Sequence, residues 1–163
     1  MAGEENLFEE IYRTFRARLF QYALSLVRSS ETAEDAVHDA FVGVARQAAA
    51  GRAPREISPY LYAAVRNRCL DILRRRQETP MEPEDLDLIA APPGDLERVE
   101  HRQSLNRLLL TLAAEQREVV ILRIWHDLGF AEIAALQACS INTALSRYQY
   151  ALKNLRKELG SDE

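Results

Sequence analysis

The sequence has few of the residues from which metal sites and disulfide frameworks are built. Cys69 and Cys139 lie far apart and neither belongs to a CxxC pair. The three histidines, His38, His101 and His126, show no ligand spacing such as HExxH. Two reduced thiols that behave as small hydrophobic side chains are therefore preferred over a disulfide or a metal site. No metal and no cofactor is predicted.

Several enzyme and membrane signatures are also missing. With only six glycines, the chain contains no Gly-rich phosphate loop and no nucleophile elbow, so nothing in it indicates an enzyme. No run approaches the roughly 18 apolar residues that span a bilayer, and no membrane insertion is predicted. The first ten residues, MAGEENLFEE, are acidic and lack the layout of a secretion signal. A cytoplasmic, non-enzymatic protein is expected.

What the sequence does contain is helical periodicity. Apolar residues recur every three or four positions from Leu7 to Val27, which predicts a long amphipathic helix. Thr32, followed by Asp35, fits a capping-box-like start of a second helix. The segment 48–58 contains Gly and Pro and is predicted to be a loop.

A third helix is predicted to begin at Ser58 and Pro59. Serine would be the N-cap, and proline would take the first helical position, where its missing N–H costs nothing. Its buried stripe would include Leu61, Val65 and Cys69. Together the three helices could close a small hydrophobic core.

The net charge of −4 is unevenly distributed. Residues 78–97 hold seven acidic side chains and no Lys or Arg, whereas 1–77 carry 12 basic and 10 acidic residues, and 98–163 carry 9 and 8. Prolines at 80, 83, 92 and 93 exclude a continuous helix there. A flexible acidic linker over 78–95 is the preferred interpretation, although the stretch DLDLIAA could dock as a short element.

The C-terminal third is again helical. A helix is predicted after Asp95, a plausible N-cap, and another from about Glu115 to His126, with Gly129 as the left-handed residue past its end. The chain is therefore predicted to be all-α, with small helical domains at 1–77 and 96–163.

The second domain is predicted to end in a helix-turn-helix. A short helix spans 130–136, residues 137–140 form the turn, and Ser140 caps a longer helix that runs to about Leu159. Its inward face would be Ile141, Ala144 or Leu145, Tyr148, Ala151 or Leu152, and Leu155. An ordinary helical hairpin with a basic solvent face is the alternative, and Ala138, where Gly is usual in such turns, counts mildly against DNA binding.

Three stretches, in this order, resemble one protein family. Successive regions of the extracytoplasmic-function (ECF) sigma factors of the sigma-70 family are similar to ETAEDAVHDAFVGVA, PYLYAAVRNRCLDILRRR and EQREVVILRIWHDLGFAEIAALQACSINTALSRYQYALKNLRKEL. The resemblance covers nearly the whole chain. It implies a subunit that binds core RNA polymerase and promoter DNA and directs promoter-specific transcription initiation.

The resemblance also implies contact residues for polymerase and for the −10 element. Glu34, Asp35 and Asp39 would dock on the basic clamp helices of the β′ subunit, or would simply favour a helix N-terminus. The −10 residues would be Tyr60, Tyr62, Arg66, Asn67, Arg74, Arg75 and Arg76, beside a loop at 48–58 that pockets a flipped base. One of the two tyrosines is expected to belong to the core.

For the −35 element the resemblance points to the last helix. The implied contact residues are Ser140, Asn142, Thr143, Leu145, Ser146, Arg147, Gln149, Tyr150 and Lys153. Leu145 and Tyr150 stand where many relatives carry Lys or Arg, which would lower the salt slope of binding by roughly two units. Leu145 could instead meet a thymine methyl group, and Gln149 could pair with adenine.

Further partners and two rival functions remain open at this point. An anti-sigma factor is expected as a partner, and the acidic linker either enters the RNA exit path of polymerase or is simply solvated. One rival is a sigma-mimic protein that sequesters an anti-sigma factor without binding DNA. The other is a self-standing helix-turn-helix repressor, which would need a dimer interface that the sequence does not indicate.

Overall fold

The computed structural model describes residues 2–78, 88–89 and 96–161. All regular secondary structure in these residues is α-helical. The chain divides into two compact units, Met1–Leu86 (unit 1) and Asp87–Glu163 (unit 2). The predicted all-α fold is confirmed. Within those described ranges, no helix is long and apolar enough to cross a membrane.

Unit 1 is a three-helix unit in which every helix contacts the other two. Its helices are α1 (Ala2–Val27), α2 (Ser30–Ala49) and α3 (Ile57–Glu78). Each contributes buried residues, which are Leu19, Tyr22, Ala23 and Val27 from α1, Ala33, Val37, Phe41 and Val44 from α2, and Leu61, Tyr62, Val65 and Cys69 from α3. The three predicted apolar stripes therefore meet in one core, where the hydrophobic effect supplies most of the stabilisation.

The starts of α2 and α3 differ from the sequence prediction. Ser29, not Thr32, caps α2: its Oγ accepts a hydrogen bond from the Thr32 N–H at 3.4 Å, and Thr32 lies in the first turn. Likewise α3 begins at Ile57, so Ser58 lies inside the helix instead of capping it. Pro59 still falls in the first turn, where no intrahelical N–H donor is needed.

In its described residues unit 2 has four helices, and α7 packs against the other three. They are α4 (Leu96–Leu110), α5 (Ala114–Ile124), α6 (Phe130–Gln137) and α7 (Ile141–Ser161). An apolar cluster of this unit includes Leu109, Leu112, Val120, Ile121 and Ala151, with the chain's single tryptophan, Trp125, packed against it.

Leu88 and Ile89 also belong to this cluster, as expected for the alternative in which DLDLIAA docks as a short element. Their exposed fractions are 0% and 4%, and the Leu88 N–H donates to Asn106 Oδ1 at 3.2 Å. Two adjacent apolar side chains in an acidic segment gain free energy by leaving water, so 78–95 is not a free linker at these positions. Glu78 is the last residue of α3, and the remaining linker residues, 79–87 and 90–95 with the proposed N-cap Asp95, lie outside the described residues.

The connection between α5 and α6 corrects the prediction for Gly129. Its φ is −77° and its ψ is 161°, so it is extended and forms the N-cap of α6, where its N–H donates to Glu132 Oε1 at 3.5 Å. The left-handed residue is Asp127, with φ 57°. Aspartate tolerates this conformation better than most residues, so the turn needs no glycine there.

Candidate nucleic-acid and polymerase interfaces

The helix-turn-helix is formed by α6, the turn and α7. Ala138 adopts the left-handed conformation at φ 53°, and the next N–H, that of Cys139, returns to the Ala134 carbonyl at 3.0 Å. A non-glycine residue there costs about 1–2 kcal/mol, which the surrounding packing must offset. Ser140 Oγ accepts from the Thr143 N–H at 3.0 Å, which confirms the predicted cap of α7.

A partly buried polar network fixes α7 against α5 and α6. Glu118 is 6% exposed, and its Oε1 accepts from Gln137 Nε2 at 2.8 Å. The same Gln137 amide donates to the Glu115 carbonyl at 3.1 Å, while its Oε1 accepts from Arg147 Nη1 at 2.8 Å. Arg147, expected from the resemblance to contact DNA, is thus half-buried and braces the turn through Nη1. Gln137 and Glu118 were not identified from the sequence.

One side of α7 is buried and the other faces solvent. Ala144 and Ala151 are fully buried, so Ala144 and not Leu145 belongs to the inward face. Ile141 was predicted to point inward but is 54% exposed, because the buried face begins one turn later. The exposed side carries Asn142, Thr143, Leu145, Ser146, Gln149, Tyr150 and Lys153. Seven of the nine residues expected at the −35 element therefore share one open surface.

The two tyrosines near the start of α3 have different environments. Tyr62 is 2% exposed and packs against Tyr22, with ring centroids 5.3 Å apart. Burial raises the pKa of Tyr62 to about 12. Tyr62 is therefore the core tyrosine of the pair, and its contact with a DNA base stays a prediction. Tyr60 is half-buried, with its hydroxyl close to Gly43 of α2.

The polar residues of α3 are also divided. Asn67, Arg74 and Arg75 are exposed, and Arg66 is half-buried. Arg76 instead donates from Nη1 to the Val27 carbonyl, and from Nη2 to Thr32 Oγ1 at 3.1 Å. Both terminal nitrogens of Arg76 therefore join α3 to the end of α1 and the start of α2, and its contact with DNA phosphates stays a prediction.

The acidic residues of α2 lie beside basic residues of α1. Glu34 and Asp35 are exposed, and they line a cleft of about 720 Å³. The cleft's other walls are Tyr12, Arg13, Arg16, Ala17, Phe20, Val37 and His38. Asp39 lies outside it and pairs with Arg68 Nε of α3 at 3.0 Å. Glu34 and Asp35 are therefore the more available of the three predicted polymerase-binding carboxylates.

Comparison with known proteins explains this arrangement. The sequence profiles of sigma-70 region 2 and sigma-70 region 4 match residues 11–79 and 102–155. The ECF RNA polymerase sigma factor SigM of Mycobacterium tuberculosis is 31% identical over 161 residues, which cover 98% of this chain and 81% of SigM. This chain belongs to the ECF sigma factors. It is an RNA polymerase sigma factor that functions in transcription initiation.

Other similar proteins agree with this assignment. The RNA polymerase sigma-E factor of Streptomyces coelicolor is 32% identical over 160 residues, covering 96% of this sigma factor and 88% of the relative. The sigma factor RpoE of Bartonella quintana, solved in complex with the anti-sigma factor NepR, superposes with a TM-score of 0.74 at 25% identity. The match covers 96% of this chain and 98% of RpoE. The family prediction is confirmed, and the sigma-mimic alternative is not favoured.

The position of Arg76 in this sigma factor leads to a prediction about stability. Replacing Arg76 by alanine should destabilise unit 1 by about 1.5–3 kcal/mol, because it removes charged hydrogen bonds that join three helices. Cys69 has an exposed fraction of 0%, so its thiol reacts with a labelling reagent only when unit 1 opens. Its labelling rate, followed by mass spectrometry, should rise about 10- to 150-fold.

The neighbouring arginine supplies the control. Arg75 is exposed, and Arg75→Ala should leave the Cys69 labelling rate within about threefold of the wild-type rate. Equal labelling rates in the two variants would show that the Arg76 hydrogen bonds contribute nothing measurable to unit 1.

Proposed function

We propose that this sigma factor acts in the cytoplasm and divides its contacts between the two units. Unit 1 binds core polymerase and the −10 element, and unit 2 places α7 in the major groove of the −35 element. The observation that supports the proposal is the exposed side of α7, which is rich in hydrogen-bonding side chains. The opposite side of α7 is fixed to α5 and α6. A recognition helix requires both properties.

Unit 1 offers the −10 element a surface on α3. Tyr60 can stack on an unpaired base, a contact worth about 1–3 kcal/mol. Arg74 and Arg75 are exposed and can neutralise phosphates, while Asn67 can form hydrogen bonds with a base or the backbone. Arg66 is half-buried at the same helix, and its contact would use the accessible part of the side chain.

Core polymerase would dock on α2. Glu34 and Asp35 present exposed carboxylates, and we propose that they orient the sigma factor on the basic clamp helices of the β′ subunit. Asp39 would contact the clamp helices only while it remains paired with Arg68. Because two units attach to one assembly, weak −35 binding by unit 2 is compensated by a high effective concentration.

Two further features complete the proposal. RpoE of Bartonella quintana was solved with an anti-sigma factor, and we propose that this chain is likewise held inactive by such a partner. The chain itself would catalyse no reaction, since polymerase supplies the chemistry of RNA synthesis.

The direct test is run-off transcription from pooled fragments of the source genome with the cognate core polymerase. Discrete transcripts should appear only when the sigma factor is added, and the alignment of their start sites should give both promoter elements. Absence of sigma-dependent transcripts, although the protein binds core, would contradict the proposed promoter contacts.

A further inference from the structure

The exposed side of α7 carries almost no positive charge in the first three turns of the helix. Between Ile141 and Leu152 the single basic residue is Arg147, and its Nη1 donates to Gln137 Oε1 at 2.8 Å. The next basic residue on the exposed side is Lys153. The exposed side chains in the part of the helix that enters a major groove are therefore polar and apolar, and its one cation, Arg147, is half-buried.

The chemistry of base recognition makes this distribution informative. In the major groove, guanine offers two acceptors, N7 and O6, and its usual partner is a bidentate Arg or Lys. Adenine offers one acceptor and one donor, which match the amide of Asn or Gln. The thymine methyl group accepts an apolar contact.

The exposed residues of α7 supply amides, which are the partners of adenine, and an apolar side chain, which is the partner of the thymine methyl group. Asn142 and Gln149 are exposed amides separated by two turns of the helix, and Leu145 lies between them with 36% of its surface exposed. Seven residues advance about 10.5 Å along a helix, which corresponds to about three base-pair steps. The three side chains can therefore contact neighbouring base pairs.

We propose that the −35 element of this sigma factor is specified by A·T pairs at the positions that face Asn142, Leu145 and Gln149. Adenine is recognised by the two amides and thymine by Leu145, and guanine is not selected at these positions. The inference rests on the proposed function of α7 as the −35 recognition helix.

The test is a selection with the complete holoenzyme. A promoter from the run-off experiment is randomised over its −35 region, transcribed by wild-type holoenzyme, and the transcribed templates are sequenced. A·T pairs should be enriched about 5- to 150-fold over G·C pairs at three or four neighbouring positions. Some positions change their base preference when Asn142, Leu145 or Gln149 is substituted. Guanine enrichment by the wild-type holoenzyme at these positions would overturn the inference and leave the proposed function intact.

Variants of α7 show which residue contacts which base pair. They also separate the inference about A·T pairs from the proposed function of α7. Leu145→Arg should change the preference to guanine at one position and leave selection in the −10 element unchanged. Leu159→Arg adds the same charge to the same helix, at an exposed residue beyond these turns, and should not change any base preference. If wild-type transcription is indifferent to the entire −35 region, both the inference and the proposed role of α7 are wrong.

Discussion

Replacing Leu88 by alanine is expected to lower the free energy of unfolding of unit 2 by about 2–5 kcal/mol. Leu88 has no exposed surface and lies in the cluster formed by α4, α5 and α7. Alanine would remove apolar contact and leave a cavity that the surrounding helices fill only partly. The effect should be large although the residue lies outside every helix.

The measurement can use the chain's own fluorophore. Trp125 is the single tryptophan and packs against the same cluster, so its fluorescence during urea denaturation reports the unfolding of unit 2. Leu159→Ala is the matched control, because Leu159 is 56% exposed near the end of α7 and should change stability by no more than about 0.5 kcal/mol. If Leu88→Ala and Leu159→Ala unfold at the same urea concentration, Leu88 is not docked in solution.

Reversing the charges of Glu34 and Asp35 together is expected to weaken binding to core polymerase about 100-fold at low salt. Juxtaposed like charges at an interface cost several kcal/mol, and the double change to lysine would place two cations against a basic surface. The loss should appear largely in the association rate and should diminish as salt screens the charges.

Binding can be measured by titration of fluorescently labelled sigma factor with core polymerase at two salt concentrations. A double change of Glu9 and Glu10 to lysine is the matched control, since both are exposed acids of α1 outside the cleft. Cys69 labelling establishes that unit 1 remains folded in each variant. Unchanged affinity in the Glu34 and Asp35 variant would mean that these carboxylates only stabilise the start of α2.

Helical periodicity was sufficient to predict the elements because the apolar repeat is a local property of the chain. Helix ends were predicted less accurately, as at Thr32 and Gly129. A cap depends on which of several neighbouring polar groups reaches a free N–H, and adjacent serines and threonines offer nearly equivalent choices.

Contacts between residues far apart in the sequence could not be predicted, for a different reason. Arg76 contacts Val27, 49 positions away, and Leu88 contacts Asn106, 18 positions away. Such pairs leave no periodic signal, so an arginine that braces a core and an arginine that faces solvent look alike in sequence. Family resemblance indicates which helices to consider, and burial decides which side chains on them are exposed.

Docking of Leu88 also shortens the segment that joins α3 to the apolar cluster of unit 2. Ten Cα-to-Cα steps separate Glu78, the last residue of α3, from Leu88, and they span at most about 36 Å when fully extended. A segment free as far as Leu96 would have eighteen steps and could span about 65 Å. The difference equals the axial length of about eight base pairs. Under the proposed function, in which each unit binds one promoter element, nine residues instead of seventeen are available to bridge the spacer between the elements while Leu88 stays docked.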